Sequence, residues 1–139
     1  MEVAMVKGKR MKILVVDDDK EMREMIYSFL TYRGFYVKTM PDGANCLAAL
    51  EKDSYDMLIT DVYMPRMNGL ELLDKIDQKN CNLLVLAMTG LPSEEIIEKL
   101  IEKGAYDCLI KPFPLNHLIT TIEKCVEQSG SVPSKSVSM

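Results

Sequence analysis

The sequence has few of the residues from which zinc and redox sites are built. It contains one histidine, His117, and four cysteines that form no C-x-x-C pair. Since a zinc site needs several Cys or His ligands at close spacing, this pattern argues against one. Three of the cysteines, Cys46, Cys108 and Cys125, lie within or beside apolar segments. We interpret them as small buried side chains of a protein in a reducing compartment.

Long apolar runs and an excess of positive charge are also lacking. The longest fully apolar stretches are short, such as 83–88, whereas a membrane-spanning helix needs roughly 18 apolar residues. Gly8, Lys9 and Arg10 interrupt the N-terminal segment before it could form the apolar part of a signal peptide. The net charge is −4, and a nucleic-acid-binding surface would show a basic stripe. We therefore expect a cytoplasmic protein that binds neither membranes nor nucleic acids directly.

Short apolar runs alternate with longer amphipathic segments along the chain. The pattern predicts strands at residues 12–17, 35–39, 57–60, 83–88 and 108–110, each followed by a helix. Five strands alternating with five helices indicate an α/β fold with a doubly wound, five-stranded parallel sheet. The strand order expected for five such units is 2-1-3-4-5, the flavodoxin-like (βα)5 arrangement.

The chain divides into three segments. Residues 11–128 hold the alternating pattern and are predicted to form one domain. Residues 1–10 precede it as a solvated lead-in with a small basic cluster. Residues 129–139 are rich in serine and have no periodicity, which is typical of a disordered tail or the start of a linker. The domain is either a stand-alone protein or a fragment of a longer one.

Polar side chains interrupt the apolar pattern at the carboxyl ends of four predicted strands. They are Asp17, Asp18 and Asp19 after strand 1, Asp61 after strand 3, Thr89 after strand 4 and Lys111 after strand 5. In an open α/β sheet this edge binds ligands, and strands 1 and 3 flank the point where the strand order reverses. We expect these side chains to converge on one crevice.

Carboxylates gathered in one crevice repel each other and need a counter-charge. Mg²⁺ fits best, because it takes a few carboxylate oxygens and keeps several waters. A lysine and a hydroxyl beside the cation complete a set of groups that binds phosphoryl oxygens, and an aspartate can serve as the nucleophile. Each residue also has a plainer interpretation: Asp18 or Asp19 as a helix cap, Thr89 as a turn hydroxyl, Lys111 as a surface lysine.

Four segments of the sequence resemble the signature segments of response-regulator receiver domains, the CheY-like superfamily of two-component signalling. They are ILVVDDDKEMREMI, LITDVYMPRMNGLELL, VLAMTG and GAYDCLIKPF, and they occur in the family's order. The D-x-x-M-P-x-M-x-G loop with a downstream K-P-F is a highly specific signal. The resemblance covers residues 12–127.

The resemblance implies a phosphoacceptor and a metal site. Asp61 matches the residue that accepts a phosphoryl group from a histidine-kinase phosphohistidine. Asp18 matches the acid that binds Mg²⁺ directly, and Asp17 the acid that acts through a bound water. Asp61 itself and the backbone carbonyl of Tyr63 would complete the set, and Mn²⁺ could substitute. Asp19 matches an auxiliary acid that is commonly supportive or a helix cap.

The resemblance also implies a switch. Thr89 matches the hydroxyl that turns toward the phosphoryl group, and Lys111 the lysine that pairs with it. The bond between Lys111 and Pro112 is expected to be cis. The family often has an aromatic switch residue where this chain has Cys108. Tyr106 is the possible substitute, because alternation along a strand would place it on the same side as Cys108.

The expected partners are a sensor histidine kinase or a phosphotransfer protein. The resemblance implies that the face built from helix 4, strand 5 and helix 5 engages a partner or a second copy of the chain, as a homodimer. Such a domain catalyses its own phosphorylation and slow dephosphorylation but is not a turnover enzyme. We also expect Met64 and Met67, which flank the acceptor loop, to be exceptions to the burial of the methionines.

Two other functional classes remain open from the residues. A phosphatase of the haloacid-dehalogenase kind would use Asp17 as its nucleophile and Asp19 as its acid, although Glu21 stands where a hydroxyl or valine is expected. A receiver-like interaction module would work without phosphate.

Overall fold

The computed structural model describes residues 5–6, 9–77 and 82–129. Its main strands are β1 (Lys12–Val16), β2 (Tyr36–Met40), β3 (Met57–Asp61), β4 (Leu84–Thr89) and β5 (Asp107–Ile110). Its helices are α1 (Lys20–Tyr32), α2 (Gly43–Lys52), α3 (Gly69–Asp77), α4 (Glu94–Glu102) and α5 (Leu115–Ser129). Every predicted strand and helix is present within these residues.

The five strands form one parallel sheet in the order β2-β1-β3-β4-β5. The predicted order 2-1-3-4-5 is therefore confirmed. The chain runs outward in one direction from β1 to β2 and in the other direction from β3 to β5, so the order reverses between β1 and β3. Val16, the last residue of β1, pairs with Thr60, and Asp61 pairs with Met88 of β4. The carboxyl ends of these strands thus form one edge.

Both faces of the sheet are covered by helices, which explains why its strands are almost continuously apolar. Alternate residues of β1 point to opposite sides. Ile13 and Val15 pack in a cluster with residues of α1 and α5, and Leu14 and Val16 pack with residues of α2, α3 and α4. The predicted burial of Cys46 and Cys125 is confirmed, whereas Cys108 is only partly buried. Burial raises the pKa of the Cys46 and Cys125 thiols to about 12 and about 11.

Local signals in the sequence fix where helices begin and end. Asp19, Asp42 and Ser93 are N-caps whose side chains accept hydrogen bonds from backbone N–H groups of the first turn. Gly34 and Gly104 follow α1 and α4 with φ of 98° and 108°, a left-handed conformation that glycine adopts at low cost. The Asp19 cap starts α1 at Lys20, four residues after β1 ends at Val16.

Some expectations were incomplete or wrong. The lead-in contains an unpredicted antiparallel pair of two-residue strands, Met5–Val6 and Lys9–Arg10. Met64 is only 8% exposed, so the expected exposure is wrong, because its side chain packs in the cluster beneath α2 and α3. Met67 is partly buried against the same cluster. Cys81 and residues 130–139 lie outside the described part of the chain. Within that part, no helix has the length and apolar character needed to span a membrane.

The loop after β3 closes on itself at Gly69. The backbone N–H of Gly69 donates to the carbonyl oxygen of Val62 over 2.6 Å. A Cβ atom on Gly69 would lie 2.9 Å from the carbonyl oxygen of Asp61 and 3.0 Å from Val62 Cα. Because both neighbours are backbone atoms, neither can move without moving the end of β3.

We predict that Gly69→Ala destabilises the protein by about 1–3 kcal/mol, the usual cost of overpacking. The free energy of unfolding, measured by urea denaturation, tests this. Gly90→Ala is the matched control, since a Cβ atom there would meet only Lys111 Cβ at 3.9 Å, and it should change stability by less than about 0.5 kcal/mol. Equal stability of the two variants would contradict the close approach at Gly69.

Candidate functional site

Three strand ends bring the predicted polar residues together at the carboxyl edge of the sheet. Asp17 follows β1, Asp61 ends β3, and Lys111 follows β5. Asp17 is fully buried, and Asp61 is 6% exposed. Residues that are distant in sequence therefore share one crevice, as the pattern predicted.

The ammonium group of Lys111 bridges the two buried carboxylates. Its Nζ atom lies 2.8 Å from Asp17 Oδ2 and 3.3 Å from Asp61 Oδ2. The side chain of Lys111 is 21% exposed, so these contacts are only partly screened by water. Although burial lowers the pKa of Lys111, the hydrogen bond and charge of Asp17 and the charge of Asp61 hold this pKa above its ordinary value. The lysine is thus firmly cationic.

Every polar group of Asp17 is engaged. Its Oδ1 accepts from the N–H of Asp19 over 2.9 Å, and its own N–H donates to the carbonyl oxygen of Met40 over 3.2 Å. Its carbonyl oxygen accepts from Nη1 of Arg23 over 2.8 Å. The sequence interpretation missed Arg23. The only available signal was its place in the first turn of α1, because a contact with a backbone carbonyl follows no side-chain pattern.

The surroundings of Asp61 disfavour the ionised form of its carboxyl group. Its Oδ1 accepts from the N–H of Val62 over 2.9 Å. Burial, followed by the charge of Asp17, raises the pKa of Asp61 to about 6, and Lys111 opposes this shift. Burial and the charge of Asp17 therefore outweigh the opposing effect of Lys111 on the pKa of Asp61.

A divalent cation would supply the missing charge. Asp17, Asp18 and Asp61 each offer a carboxylate oxygen, and these oxygens lie within 4.8 Å of one another. Asp18 is exposed to solvent. A small hard cation that keeps several waters fits three carboxylates of which one faces water. The raised pKa of Asp61 is consistent with such a cation, since burial first and the charge of Asp17 second disfavour the ionised carboxylate.

The remaining predicted residues lie around this cluster. Thr89 is fully buried; its Oγ1 accepts from the N–H of Leu91 over 3.0 Å, and its carbonyl oxygen accepts from the N–H of Lys111 over 2.8 Å. Tyr63, two residues after Asp61, is 43% exposed. Asp19 caps α1, as its plainer interpretation suggested. The peptide bond between Lys111 and Pro112 is cis, as the resemblance implied.

Tyr106 does not share a side of the sheet with Cys108, so the expectation from strand alternation is wrong. Cys108 packs in the cluster beneath α2, α3 and α4. Tyr106 precedes β5 and packs in the cluster of α1 and α5, where its hydroxyl donates to Oε1 of Gln128 over 2.7 Å. The alternation rule applies within a strand, and Tyr106 lies one residue before the strand begins.

Known proteins share both the sequence and the fold of this chain. The family profile described as the response regulator receiver domain matches residues 13–123. The CpxR homolog of Haemophilus influenzae, named a transcriptional regulatory protein, is 40% identical over 128 residues, which cover 91% of this chain and 55% of that protein. The chain spans about half the length of the curated relatives it matches.

Solved structures of response regulators share the fold of this chain. The chemotaxis response regulator CheY4 of Vibrio cholerae has a TM-score of 0.78 and 32% sequence identity, covering 83% of this chain and 98% of that one. The beryllofluoride-activated NtrC4 receiver domain dimer has a TM-score of 0.81 and 27% identity, covering 85% of this chain and 98% of that one.

The raised pKa of Asp61 predicts how the stability of the protein depends on pH. In the folded protein the pKa of Asp61 is raised to about 6, whereas an unfolded aspartate ionises near about pH 4. Ionisation therefore costs stability as the pH rises through this window. We predict that Asp61→Asn, without divalent cations, gains stability over the wild type by on the order of 1 kcal/mol between pH 4 and pH 7.

Urea denaturation in the presence of a chelator at several pH values measures this difference. Asp53→Asn is the control, because the hydrogen bond from Lys12 lowers the pKa of Asp53 and its replacement should not stabilise the protein. A stability difference between Asp61→Asn and the wild type that is independent of pH would show that the pKa of Asp61 is not raised in the folded protein.

Proposed function

The chain belongs to the response regulator receiver domains of two-component signalling, and we propose that Asp61 is its phosphoacceptor. The observation that carries the proposal is the position of Lys111, whose ammonium group lies between Asp17 and Asp61. Metal binding alone does not require this lysine, but neutralising the oxygens of a phosphoryl group does. The donor would be a phosphohistidine of a sensor histidine kinase or of a phosphotransfer protein.

Asp61 is better placed than Asp17 to act as the nucleophile. Asp17 is fully buried, whereas Asp61 is 6% exposed and therefore reachable from solvent. In the transfer, an ionised oxygen of Asp61 attacks phosphorus, the P–N bond of the donor breaks, and the electron pair leaves with the histidine. Lys111, which is 3.3 Å from Asp61 Oδ2, is close enough to pair with an oxygen of the bound phosphoryl group.

The cation that suits the crevice is Mg²⁺, with Mn²⁺ as a substitute. Asp17, Asp18 and Asp61 would hold it, together with the backbone carbonyl of Tyr63. When bound, it supplies positive charge to the phosphoryl oxygens. The chain's own residues keep Asp61 in place: the N–H of Val62 holds Oδ1, and Lys111 holds Oδ2.

Thr89 would convert phosphorylation into a change of surface. Its Oγ1 accepts from the N–H of Leu91, and its hydroxyl would reorient to donate to a phosphoryl oxygen. The N–H of Leu91 would then lose its partner, so the segment that leads into α4 would adopt a second arrangement. Because Cys108 replaces the usual aromatic residue and Tyr106 is bonded to Gln128, we propose that this switch operates without an aromatic side chain.

The phosphorylated domain would act through a surface rather than through turnover of a substrate. Its chemistry would be limited to its own phosphorylation and slow dephosphorylation. On α4 and β5, Ile101 and Ile110 are 45% and 49% exposed, which suits an apolar contact with a second copy. We propose a homodimer through α4, β5 and α5. The NtrC4 receiver domain dimer is a parallel for the dimeric state.

Intact-mass measurement after incubation with acetyl phosphate tests the acceptor. We predict a gain of one phosphoryl group that requires Mg²⁺ and is lost in Asp61→Asn. Asp74→Asn is the control, because Asp74 pairs with Lys103 on the surface and should leave the gain unchanged.

The alternatives predict different masses. Phosphorylation that survives Asp61→Asn and disappears in Asp17→Asn would favour the phosphatase chemistry. A folded protein that gains no phosphoryl group under any condition would favour a phosphate-independent interaction module. Either result would overturn the proposed role of Asp61.

The proposed dimer can be tested by sedimentation. With Mg²⁺ and beryllofluoride, which stands in for a phosphoryl group on an aspartate, we expect the monomer to form a dimer. Ile101→Asn should remain monomeric under the same conditions, since it removes exposed apolar surface from α4. Tyr32→Asn is the control, because Tyr32 is 75% exposed and belongs to α1, which forms no part of the proposed interface. Dimerisation of both variants would place the interface elsewhere.

A further inference from the structure

Arg23 contacts the backbone on both sides of Asp18, the residue that would bind the cation directly. Its Nη1 donates to the carbonyl oxygen of Asp17 over 2.8 Å. Its backbone N–H donates to the carbonyl oxygen of Asp19 over 3.0 Å. Asp18 lies between these two points. The backbone contact is the first hydrogen bond of α1, so the contribution specific to Arg23 is its side-chain contact with Asp17.

Asp18 depends on such external support. None of the residues that the structure describes forms a hydrogen bond or an ion pair with its carboxylate. The carboxylate nevertheless lies within 4.8 Å of the ligand oxygens of Asp17 and Asp61. Its position must therefore come from the backbone on either side, which is fixed by Arg23 and by the N–H of Asp19 on Asp17 Oδ1.

We propose that Arg23 is a positioning residue for the divalent cation: it fixes the backbone of residues 17–19 so that the Asp18 carboxylate faces the ligand oxygens of Asp17 and Asp61. The inference rests on the proposed function, because it assumes that these carboxylates bind Mg²⁺. It assigns Arg23 no contact with the cation or with the phosphoryl group. Groups that orient metal ligands in this way commonly account for a large part of metal affinity.

An electrostatic role and a positioning role for Arg23 predict opposite changes in Mg²⁺ affinity when its side chain is removed. Arg23 is half-buried and cationic, and a positive charge near a cation site weakens cation binding. If charge alone mattered, its removal would make Mg²⁺ bind more tightly. If Arg23 positions Asp18, its removal makes Mg²⁺ bind more weakly, although a repulsive charge has gone.

The experiment is a calorimetric titration of the full chain with Mg²⁺ in the wild type, Arg23→Met, Arg23→Lys and Lys20→Met. Arg23→Met keeps an apolar stem but removes the donors and the charge, and we expect it to weaken Mg²⁺ binding by about 10-fold. Arg23→Lys keeps the charge and one donor group and should recover part of the loss. Lys20→Met is the matched control, because Lys20 is an exposed cation of the same helical turn and pairs with Glu24 at 3.9 Å. The Mg²⁺ affinity of the Lys20→Met variant should stay within about twofold of the wild type or increase.

Phosphorylation by acetyl phosphate gives a second readout. The Mg²⁺ concentration for half-maximal phosphorylation of Arg23→Met should rise by the same factor as its dissociation constant. The rate at saturating Mg²⁺ should equal that of the wild type, because excess cation compensates for a poorly positioned ligand. General damage to the fold would lower the saturating rate as well, and thermal unfolding of each variant checks for such damage. If Arg23→Met does not fold, the titration of Arg23→Lys decides.

The outcomes separate this inference from the proposed function. Mg²⁺ binding by Arg23→Met that is as tight as in the wild type, or an equal loss in Lys20→Met, would overturn the role of Arg23. A wild type that binds no Mg²⁺ would overturn it as well. A wild type that binds Mg²⁺ but accepts no phosphoryl group would overturn the function of Asp61, while a weaker titration in Arg23→Met would still support the positioning role.

Discussion

The ammonium group of Lys111 makes the meeting of the strand ends possible. Two carboxylates as buried as Asp17 and Asp61 repel each other, and a cation between them offsets that repulsion. Lys111 contacts both and thereby ties the last strand of the sheet to the first and third. The apolar strands bring the acids together, and the lysine offsets the repulsion that results.

The charge balance of the crevice determines what it can bind. Three carboxylates against one ammonium group leave two negative charges, and burial together with the charge of Asp17 raises the pKa of Asp61. A divalent cation held by these carboxylates would offset this charge, and the cation and Lys111 would then face an incoming anion. Asp17 is held at both oxygens and at both backbone polar groups, so this balance is set within a rigid frame.

The sequence predicted the parts of the site that follow strand ends, because a polar residue after an apolar run marks where a buried strand stops. Asp17, Asp61 and Lys111 were found in this way, and so was the strand order. Arg23 was not found, because its target is a backbone carbonyl. Met64 was misjudged because burial in a loop follows no period. Tyr106 was misjudged because alternation was applied one residue outside the strand.

The contact between Lys111 and Asp17 joins residues that are 94 positions apart, and this separation matters while the protein is being made. A chain still leaving the ribosome carries Asp17 and Asp61 well before the lysine between them. Until β5 emerges and joins the sheet, the acids have no ammonium partner. The crevice should therefore gain its balancing charge late in synthesis, at nearly the same moment as the completed sheet.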